Sequence, residues 1–203
     1  MNAQRIICMA LGVSVLLAAV TAAPLICPAS MAEAVAAAEQ GDFATAVALY
    51  TEEAEQGNAD AMIVLGAMYL EGFGVEANAT TGGEWLLLAA EQGHYLAQYN
   101  VGYLYLMGLG FEQDLDEAFN WFRLSAEQGF GIAQQNLAIM YDEGMIGSPN
   151  PSLAYFWGLI ARDTGVSEPE GLEMMLDRLE EELTEEQRTL AQDLAAEWEP
   201  VSR

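Results

Sequence analysis

The sequence of 203 residues is strongly acidic: it contains 31 aspartates and glutamates, six arginines and no lysine, and its formal net charge is −25 at pH 7. Because such a charge repels phosphate backbones and anionic lipid headgroups, it argues against binding to nucleic acid or to an anionic membrane surface. A partner with a basic surface would account for the acidity. An adaptation to a saline environment, where repulsion is screened, would account for it as well.

Metal and cofactor sites are not expected in this chain. The only histidine is His94, and the only cysteines are Cys8 and Cys27. The common zinc sites need several ligands of these two types at one place, and the sequence does not supply them. We therefore expect no metal and no cofactor, and we interpret His94 as an ordinary residue at the start of a helix.

The first 32 residues have the build of a signal peptide. Arg5 is followed by an uncharged stretch, and the Ser-Met-Ala sequence that ends at Ala32 suits a cleavage site; cleavage after Ala23 is a second choice. The stretch is long enough to span a bilayer, so the alternative is an uncleaved inner-membrane anchor formed by residues 6–27. We expect an exported protein, periplasmic or secreted. If the mature chain begins at Glu33, it has no cysteine and therefore no disulfide framework.

A four-residue phrase, Ala-Glu-Gln-Gly, recurs along the chain. It ends at Gly41, Gly57, Gly93 and Gly129, and the last three of these glycines are 36 residues apart, with Gly165 a further 36 on. A fixed period of this length indicates one supersecondary unit copied in tandem.

Each copy predicts two helices joined by a glycine loop. In the first copy Ala61, Leu65 and Tyr69 form one helical stripe, two glycines then end the helix, and Asn78 is a favoured cap for the second helix. The positions that define the repeat are Gly66, Tyr69, Gly72, Gly74 and Asn78 in the first copy, Gly102, Tyr105, Gly108, Gly110 and Asp114 in the second, and Tyr141, Gly144 and Asn150 in the third.

The pattern Ala-x-x-x-Leu-Gly-x-x-Tyr-x-x-Gly-x-Gly, followed by Asn or Asp, then Trp and Ala-Glu-Gln-Gly, resembles the Sel-one-like repeat (SLR) family, which is related to tetratricopeptide repeats. The resemblance covers roughly 42–165. It implies an all-α fold, a right-handed α/α superhelix (solenoid) of helical hairpins. Two positions depart from the pattern: Gly82 replaces an alanine of the second helix, and Ile146 replaces a loop glycine.

Terminal units of such arrays must be atypical because they have an outer face to cover. After the signal peptide we therefore predict an N-terminal capping hairpin over 33–57, three repeats over 58–93, 94–129 and 130–165, and C-terminal capping helices over 166–203.

The predicted C-terminal hairpin carries two apolar stripes. They are Leu172, Leu176, Leu179 and Leu183 on its first helix, and Leu190, Leu194 and Trp198 on its second. We expect this hairpin, over 168–199, to close the superhelix; a detached hairpin that seeks a partner is the alternative. Thr184 and Gln187 have the spacing of a capping box that opens the second helix.

Catalytic chemistry has few residues to draw on. Without lysine there is no Ser-x-x-Lys nucleophile, and serines such as Ser125 have no nucleophile-elbow context. Carboxylate pairs such as Asp114 with Asp116 suit the N-terminus of a helix through its dipole. We therefore predict a protein that is not an enzyme and has no catalytic residues. A cell-wall-directed hydrolase that uses carboxylates is the more distant alternative.

A binding surface is the remaining candidate site. The resemblance places the first helix of each hairpin on the concave face of the superhelix, and the non-consensus apolar residues there are the candidates. The predicted partner-binding residues are Ile63, Ala67, Leu70, Tyr99, Tyr103, Leu106, Met107, Gln135, Ile139 and Asp142. The competing interpretation is that these residues only pack against the next repeat.

The sequence therefore predicts an exported scaffold or adaptor that binds another protein or peptide through the concave face. SLR proteins serve as adaptors in signalling and envelope assembly, so the resemblance implies the same class of function. The first alternative is a cell-envelope regulator or inhibitor that holds the outer domain of a membrane sensor. It differs from the scaffold only in its partner.

Overall fold

The computed structural model describes residues 29–165 and 169–201. Within these ranges the chain forms ten α-helices and no strand, which confirms the predicted all-α class. The helices are α1 (Ala29–Glu39), α2 (Phe43–Glu55), α3 (Ala59–Glu71), α4 (Ala79–Glu91), α5 (Tyr95–Met107), α6 (Leu115–Glu127), α7 (Gly131–Glu143), α8 (Pro151–Thr164), α9 (Pro169–Glu182) and α10 (Glu185–Ala196). Among helices that follow each other in sequence, α1 packs on α2, α3 on α4 and α7 on α8.

The predicted signal peptide lies outside the described residues, except for its last four. In the part of the chain that the structure describes, every helix is too short or too polar to cross a bilayer.

The described residues divide into two compact units. The first contains the residues up to Ala97 together with Gly108–Glu112, and the second contains Gln98–Met107 together with the residues from Gln113 onward. The division passes through α5, whose first turn belongs to the first unit.

In the first unit the helices begin at capping side chains and end at glycines. The side chains of Asp42, Asn58 and Asn78 accept hydrogen bonds from backbone N–H groups at the starts of α2, α3 and α4. Gly72 ends α3 with a φ of 75°, a left-handed conformation that glycine adopts without steric cost. The N–H of Asn78 donates to the carbonyl of Tyr69 at 2.7 Å, which closes the loop onto α3.

The second glycine of the loop allows a close approach between backbones. Gly74 lies against the backbone carbonyl of Phe43, and Gly110 lies against the start of α4, so a Cβ at either position would overlap the preceding second helix. In the third repeat Ile146 occupies the equivalent position, and the positive φ is found at Gly147 instead.

The second unit repeats this construction. The side chains of Asp114 and Asn150 cap α6 and α8, and their backbone N–H groups donate to the carbonyls of Tyr105 and Tyr141 at 3.1 and 2.8 Å. The helix α7 differs because the residue at its N-cap position is Phe130, whose side chain makes no capping hydrogen bond. Three of the predicted cap positions, counting Asn78, thus have the same geometry.

The C-terminal hairpin of α9 and α10 packs on α8. The predicted stripe of α9 is buried in one apolar cluster with Tyr155 and Leu159 of α8, and its members are Leu172, Leu176, Leu179 and Leu183. Thr184 and Gln187 form the predicted capping box at the start of α10. The hairpin is therefore docked on the last repeat rather than detached.

The predicted stripe of α10 lies differently from our expectation. Leu190 and Leu194 are exposed, and the cluster with α8 contains Ala191 and Ala195 instead. Alanines permit a closer approach of two helices than leucines do, so α10 turns its small side chains toward the core. Trp198 alone packs as expected, since its ring is half-buried.

The N-terminal hairpin begins before its predicted start. The helix α1 starts at Ala29 rather than at residue 33, and it buries Ala34 and Ala38. The hydroxyl of Ser30 donates a hydrogen bond to the buried carboxylate of Glu53 on α2. Residues just before the predicted cleavage site therefore contribute a contact to the first hairpin.

Candidate partner-binding surface

Three of the ten predicted partner-binding residues are core residues. Ile63 and Ala67 on α3 and Tyr99 on α5 are all buried, with no more than 5% of their surface exposed. They leave little area for a partner to contact. Leu70, one turn beyond Ala67, is half-buried and packs close to Gly82 of α4.

Tyr99 joins three helices of the second unit. Its ring centroid lies 5.7 Å from that of Phe122 on α6 and 5.2 Å from that of Phe130, which precedes α7. Its hydroxyl lies near the side chain of Asn136 on α7, and burial raises the pKa of the phenol. Aromatic pairs at these separations add to the energy of burial. Tyr99 therefore fixes α7 beside α5, and its main role is packing.

Five of the predicted partner-binding residues on α5 and α7 are at least partly exposed. Tyr103 and Leu106 on α5 and Gln135 and Ile139 on α7 are half-buried, and Met107 at the end of α5 is 53% exposed. Because Tyr99 and Asn136 lie near each other, residues one turn further along each helix, such as Tyr103 and Ile139, lie on neighbouring rows. We call these five residues the α5–α7 face.

Asp142 forms an ion pair within the protein. Its carboxylate forms an ion pair with the guanidinium of Arg178 on α9, which also pairs with Glu182 at 3.2 Å. The carboxylate raises the pKa of Arg178 above its ordinary value, through the hydrogen bond first. Asp142 thus links the third repeat to the C-terminal hairpin. Sequence spacing could not show this pair, because Arg178 lies outside the repeat.

Two buried glutamines accept hydrogen bonds that the repeat spacing did not predict, and we call these two bonds the buried ladder. Gln98 and Gln134 occupy equivalent positions of α5 and α7, and both side chains are fully buried. The Nε2 of Gln128 donates to Oε1 of Gln98 at 2.8 Å, and the hydroxyl of Thr164 donates to Oε1 of Gln134 at 3.2 Å. Each bond spans 30 residues and joins the end of a hairpin to its first helix. The recurrence of glutamine in two repeat columns was the available signal.

His94 is also part of the packing. Its Nδ1 accepts a hydrogen bond from the backbone N–H of Leu96 at 3.3 Å, so the proton of the neutral ring is on Nε2. Nε2 lies 3.2 Å from Oδ1 of Asp60 and donates to it, and this hydrogen bond lowers the pKa of Asp60. The ring stacks on Tyr95. These contacts join the start of α5 to the start of α3. They give His94 a packing role at the start of a helix.

Candidate chemistry is sparse in the described part of the chain. No group of three or more His, Cys, Asp or Glu side chains there is arranged to hold a metal ion. Partial burial raises the pKa of Glu71, whereas hydrogen bonds with Thr45 and His94 lower the pKa values of Asp42 and Asp60. General acid and base catalysis by two carboxylates needs a pair whose environments push their pKa values apart.

Several solved structures are similar to this chain, among them the following two. One is the crystal structure of c5321, a protective antigen present in uropathogenic Escherichia coli strains displaying an SLR fold; it has 31% identity and a TM-score of 0.64 over 76% of this chain. The other is a Sel1 repeat protein from Oxalobacter formigenes, with 29% identity and a TM-score of 0.62 over 68% of this chain. These matches cover 34% and 55% of the two relatives, so this chain spans only part of their length. No curated protein matches the sequence significantly.

The family profile of the Sel1 repeat matches residues 59–94, 96–130 and 131–163. These segments correspond to the hairpins α3–α4, α5–α6 and α7–α8, and together they make up about half of the chain. The chain belongs to the Sel1 repeat family.

Proposed function

We propose that this protein is an exported interaction scaffold, and that it binds a segment of another protein on the α5–α7 face. Proteins with Sel1 repeats are generally protein-interaction scaffolds and typically not catalytic. The observation that carries the proposal is the set of partly exposed apolar side chains Tyr103, Leu106 and Met107 on α5 and Ile139 on α7. Aromatic anchors and adaptable methionines are what protein interfaces favour.

The architecture below this face suits binding. Tyr99 packs against Phe122 and Phe130, and these ring contacts hold α5, α6 and the start of α7 together. A rigid base reduces the entropy that a surface loses when it binds. The face can therefore receive an extended or helical segment without rearrangement of its helices. Its assignment to the concave side of the solenoid is part of the proposal.

The charge of the chain favours a basic partner. A net charge of −25 accelerates the approach of a cationic protein and repels an anionic one. The proposed export rests on the leader-like sequence before Glu33, so the partner would be in the cell envelope or outside the cell. If the partner is the outer domain of a membrane sensor, the protein is a regulator rather than an adaptor.

The test uses Tyr103→Glu in the full chain. The wild-type protein is crosslinked in an envelope extract, and its partner is identified by mass spectrometry and then purified for binding measurements. The variant places a carboxylate on the α5–α7 face, so we expect it to lose the partner while its thermal unfolding stays close to that of the wild type. Leu153→Glu on α8 adds the same charge to an exposed leucine elsewhere and should bind normally.

Two results would contradict the proposal. If Tyr103→Glu unfolds the protein, Tyr103 is a packing residue and the face is not a binding surface. If the variant folds and binds the partner as tightly as Leu153→Glu does, the partner uses a different surface.

A further inference from the structure

The helix α10 presents an apolar row to solvent although its opposite side is already packed. Leu190 and Leu194, one turn apart, are 59% and 51% exposed. Ala191 and Ala195 belong to the cluster with α8, so the helix has its core contacts without the two leucines. This row is not needed to hold the C-terminal hairpin in place.

Carboxylates surround the apolar row. Glu185, Glu186 and Asp193 line a shallow, open pocket together with Leu190, Thr184 and Thr189. The pocket thus combines an apolar floor, Leu190, with an acidic rim formed by the three carboxylates. A lysine or arginine could lay its aliphatic stem on Leu190 and direct its charge to the rim.

The one basic residue of α10 does not neutralise this rim. The Nη1 of Arg188 donates to the carbonyl of Glu180 at 2.6 Å and to that of Leu183 at 3.0 Å, at the C-terminal end of α9. A cation is favoured at that end by the helix dipole. Arg188 therefore points toward the end of α9, and the charged side chains that line the pocket are all acidic.

We propose that the exposed side of α10, the α10 face, formed by Glu186, Leu190, Asp193 and Leu194, docks an amphipathic helix of a partner protein whose apolar ridge is flanked by lysines or arginines. The ridge covers the two leucines, and the cations pair with the acidic rim. A second copy of this chain fits poorly, because its own rim would bring like charges together on a molecule with a net charge of −25. The surface is separate in sequence from the α5–α7 face.

The proposal is tested by titrating the full chain with a helix-forming peptide of about 18 residues that carries a leucine ridge flanked by lysines. A peptide with glutamates in place of the lysines is the control ligand. The test variant is Leu190→Gln with Leu194→Gln, which keeps the net charge. The matched control is Leu88→Gln with Leu153→Gln, two other exposed leucines on α4 and α8.

We expect the basic peptide to bind the wild type and the control variant equally, and the test variant at least about tenfold more weakly because two half-exposed leucines no longer contribute apolar area. The acidic peptide should not bind. Glu186→Gln with Asp193→Asn should weaken the basic peptide and reduce the dependence of its affinity on salt.

Equal affinity of the test and control variants would overturn the proposal, since it would show attraction to the overall charge only. Binding of the acidic peptide, or a concentration-dependent dimer of the wild type that the test variant abolishes, would overturn the stated chemistry of the partner. Circular dichroism shows whether each variant keeps its helices. The variant Tyr103→Glu should bind the peptide normally, so the two proposed surfaces can fail independently.

Discussion

The carbonyl oxygen of Gly66 on α3 lies 2.7 Å from the place that a Cβ on Gly82 of α4 would occupy, and the carbonyl of Gly82 lies 2.9 Å from the corresponding place on Gly66. The two helices therefore touch through their backbones. At the equivalent crossing of the second repeat, the carbonyl oxygen of Ala118 on α6 lies 3.2 Å from the place that a Cβ on Gly102 would occupy, so the two backbones are further apart there. Gly82, which departs from the repeat pattern, is the counterpart of Gly66 in a glycine pair.

This pair predicts that Gly82→Ala destabilises the protein, although alanine is the residue at equivalent positions of the other hairpins. In an unconstrained helix the change from glycine to alanine stabilises by up to about 1 kcal/mol. Here the new methyl group meets the carbonyl of Gly66 and the backbone and side chain of Leu70, so we expect a loss of about 1–3 kcal/mol in the free energy of unfolding. Equilibrium denaturation in urea measures this difference.

Gly171 provides the matched control for that experiment. It lies in α9, and a Cβ there would meet no atom within 4 Å. Gly171→Ala should leave stability unchanged or raise it slightly. If Gly82→Ala stabilised the protein as much as Gly171→Ala, the backbone contact between α3 and α4 would be looser than the structure has it.

The buried ladder predicts a cost for Gln134→Ala. The Nε2 of Gln134 donates to the carbonyl of Ala126 at 3.1 Å, and its Oε1 accepts from the hydroxyl of Thr164. Truncation removes the donor to the buried carbonyl of Ala126 and opens a cavity, while the hydroxyl of Thr164 keeps its bond to the carbonyl of Ala161 at 2.9 Å, so we expect a loss of about 2 kcal/mol. Gln135→Ala, on the adjacent half-buried position, should change stability by less than about 0.5 kcal/mol. Similar values for the two variants would show that the ladder contributes nothing specific.

The contact between His94 and Asp60 predicts a defined pH dependence. The pKa of Asp60 is below its usual value of 3.8 in the folded protein, because the carboxylate accepts the hydrogen bond from Nε2 of His94. A lowered pKa stabilises the fold in full above the unfolded value, and the stabilisation is lost as the pH falls through the folded value. Since the side chain of Asp60 is 74% exposed, the gain is less than about 1 kcal/mol.

His94→Ala should therefore raise the pKa of Asp60 toward 3.8, as followed by NMR of the carboxyl carbon, and the stability difference from the wild type should close below that pH. Asp42 is an internal reference, because its pKa is lowered by the side chain and backbone of Thr45 instead. A shift at Asp42 as large as the shift at Asp60 would point to a general change in the protein rather than to the loss of this contact.

The repeat period predicted most of the helices and the positions at which they begin and end. The cap positions Asn78, Asp114 and Asn150 and the stop at Gly72 depend on local backbone geometry, so one sequence suffices to locate them. The α10 stripe shows the limit, because leucine spacing alone did not indicate that alanines would face α8. Which side of a helix is buried depends on the neighbouring element, and periodicity does not specify that element.

The candidate site was harder to predict than the fold for the same reason. Tyr99 and Tyr103 are one turn apart and share a helical face, so their spacing predicted the same role for both. The structure separates them, because Phe130 covers Tyr99 from the side of the next hairpin. The residue at that position is Asn58 in the first repeat and His94 in the second, so the phenylalanine is particular to the third.

This separation predicts opposite consequences for the two tyrosines. Tyr99→Ala removes a buried ring with its contacts to Phe122 and Phe130, so we expect a loss of about 3–5 kcal/mol in the free energy of unfolding. Tyr103→Ala removes a half-buried ring and should cost about 1 kcal/mol, while it weakens binding to the protein partner identified through the α5–α7 face. Urea denaturation and a binding titration, made on both variants, check the two expectations separately. Comparable losses of stability would mean that Tyr103 is as much a part of the core as Tyr99, and this result would contradict binding on the α5–α7 face.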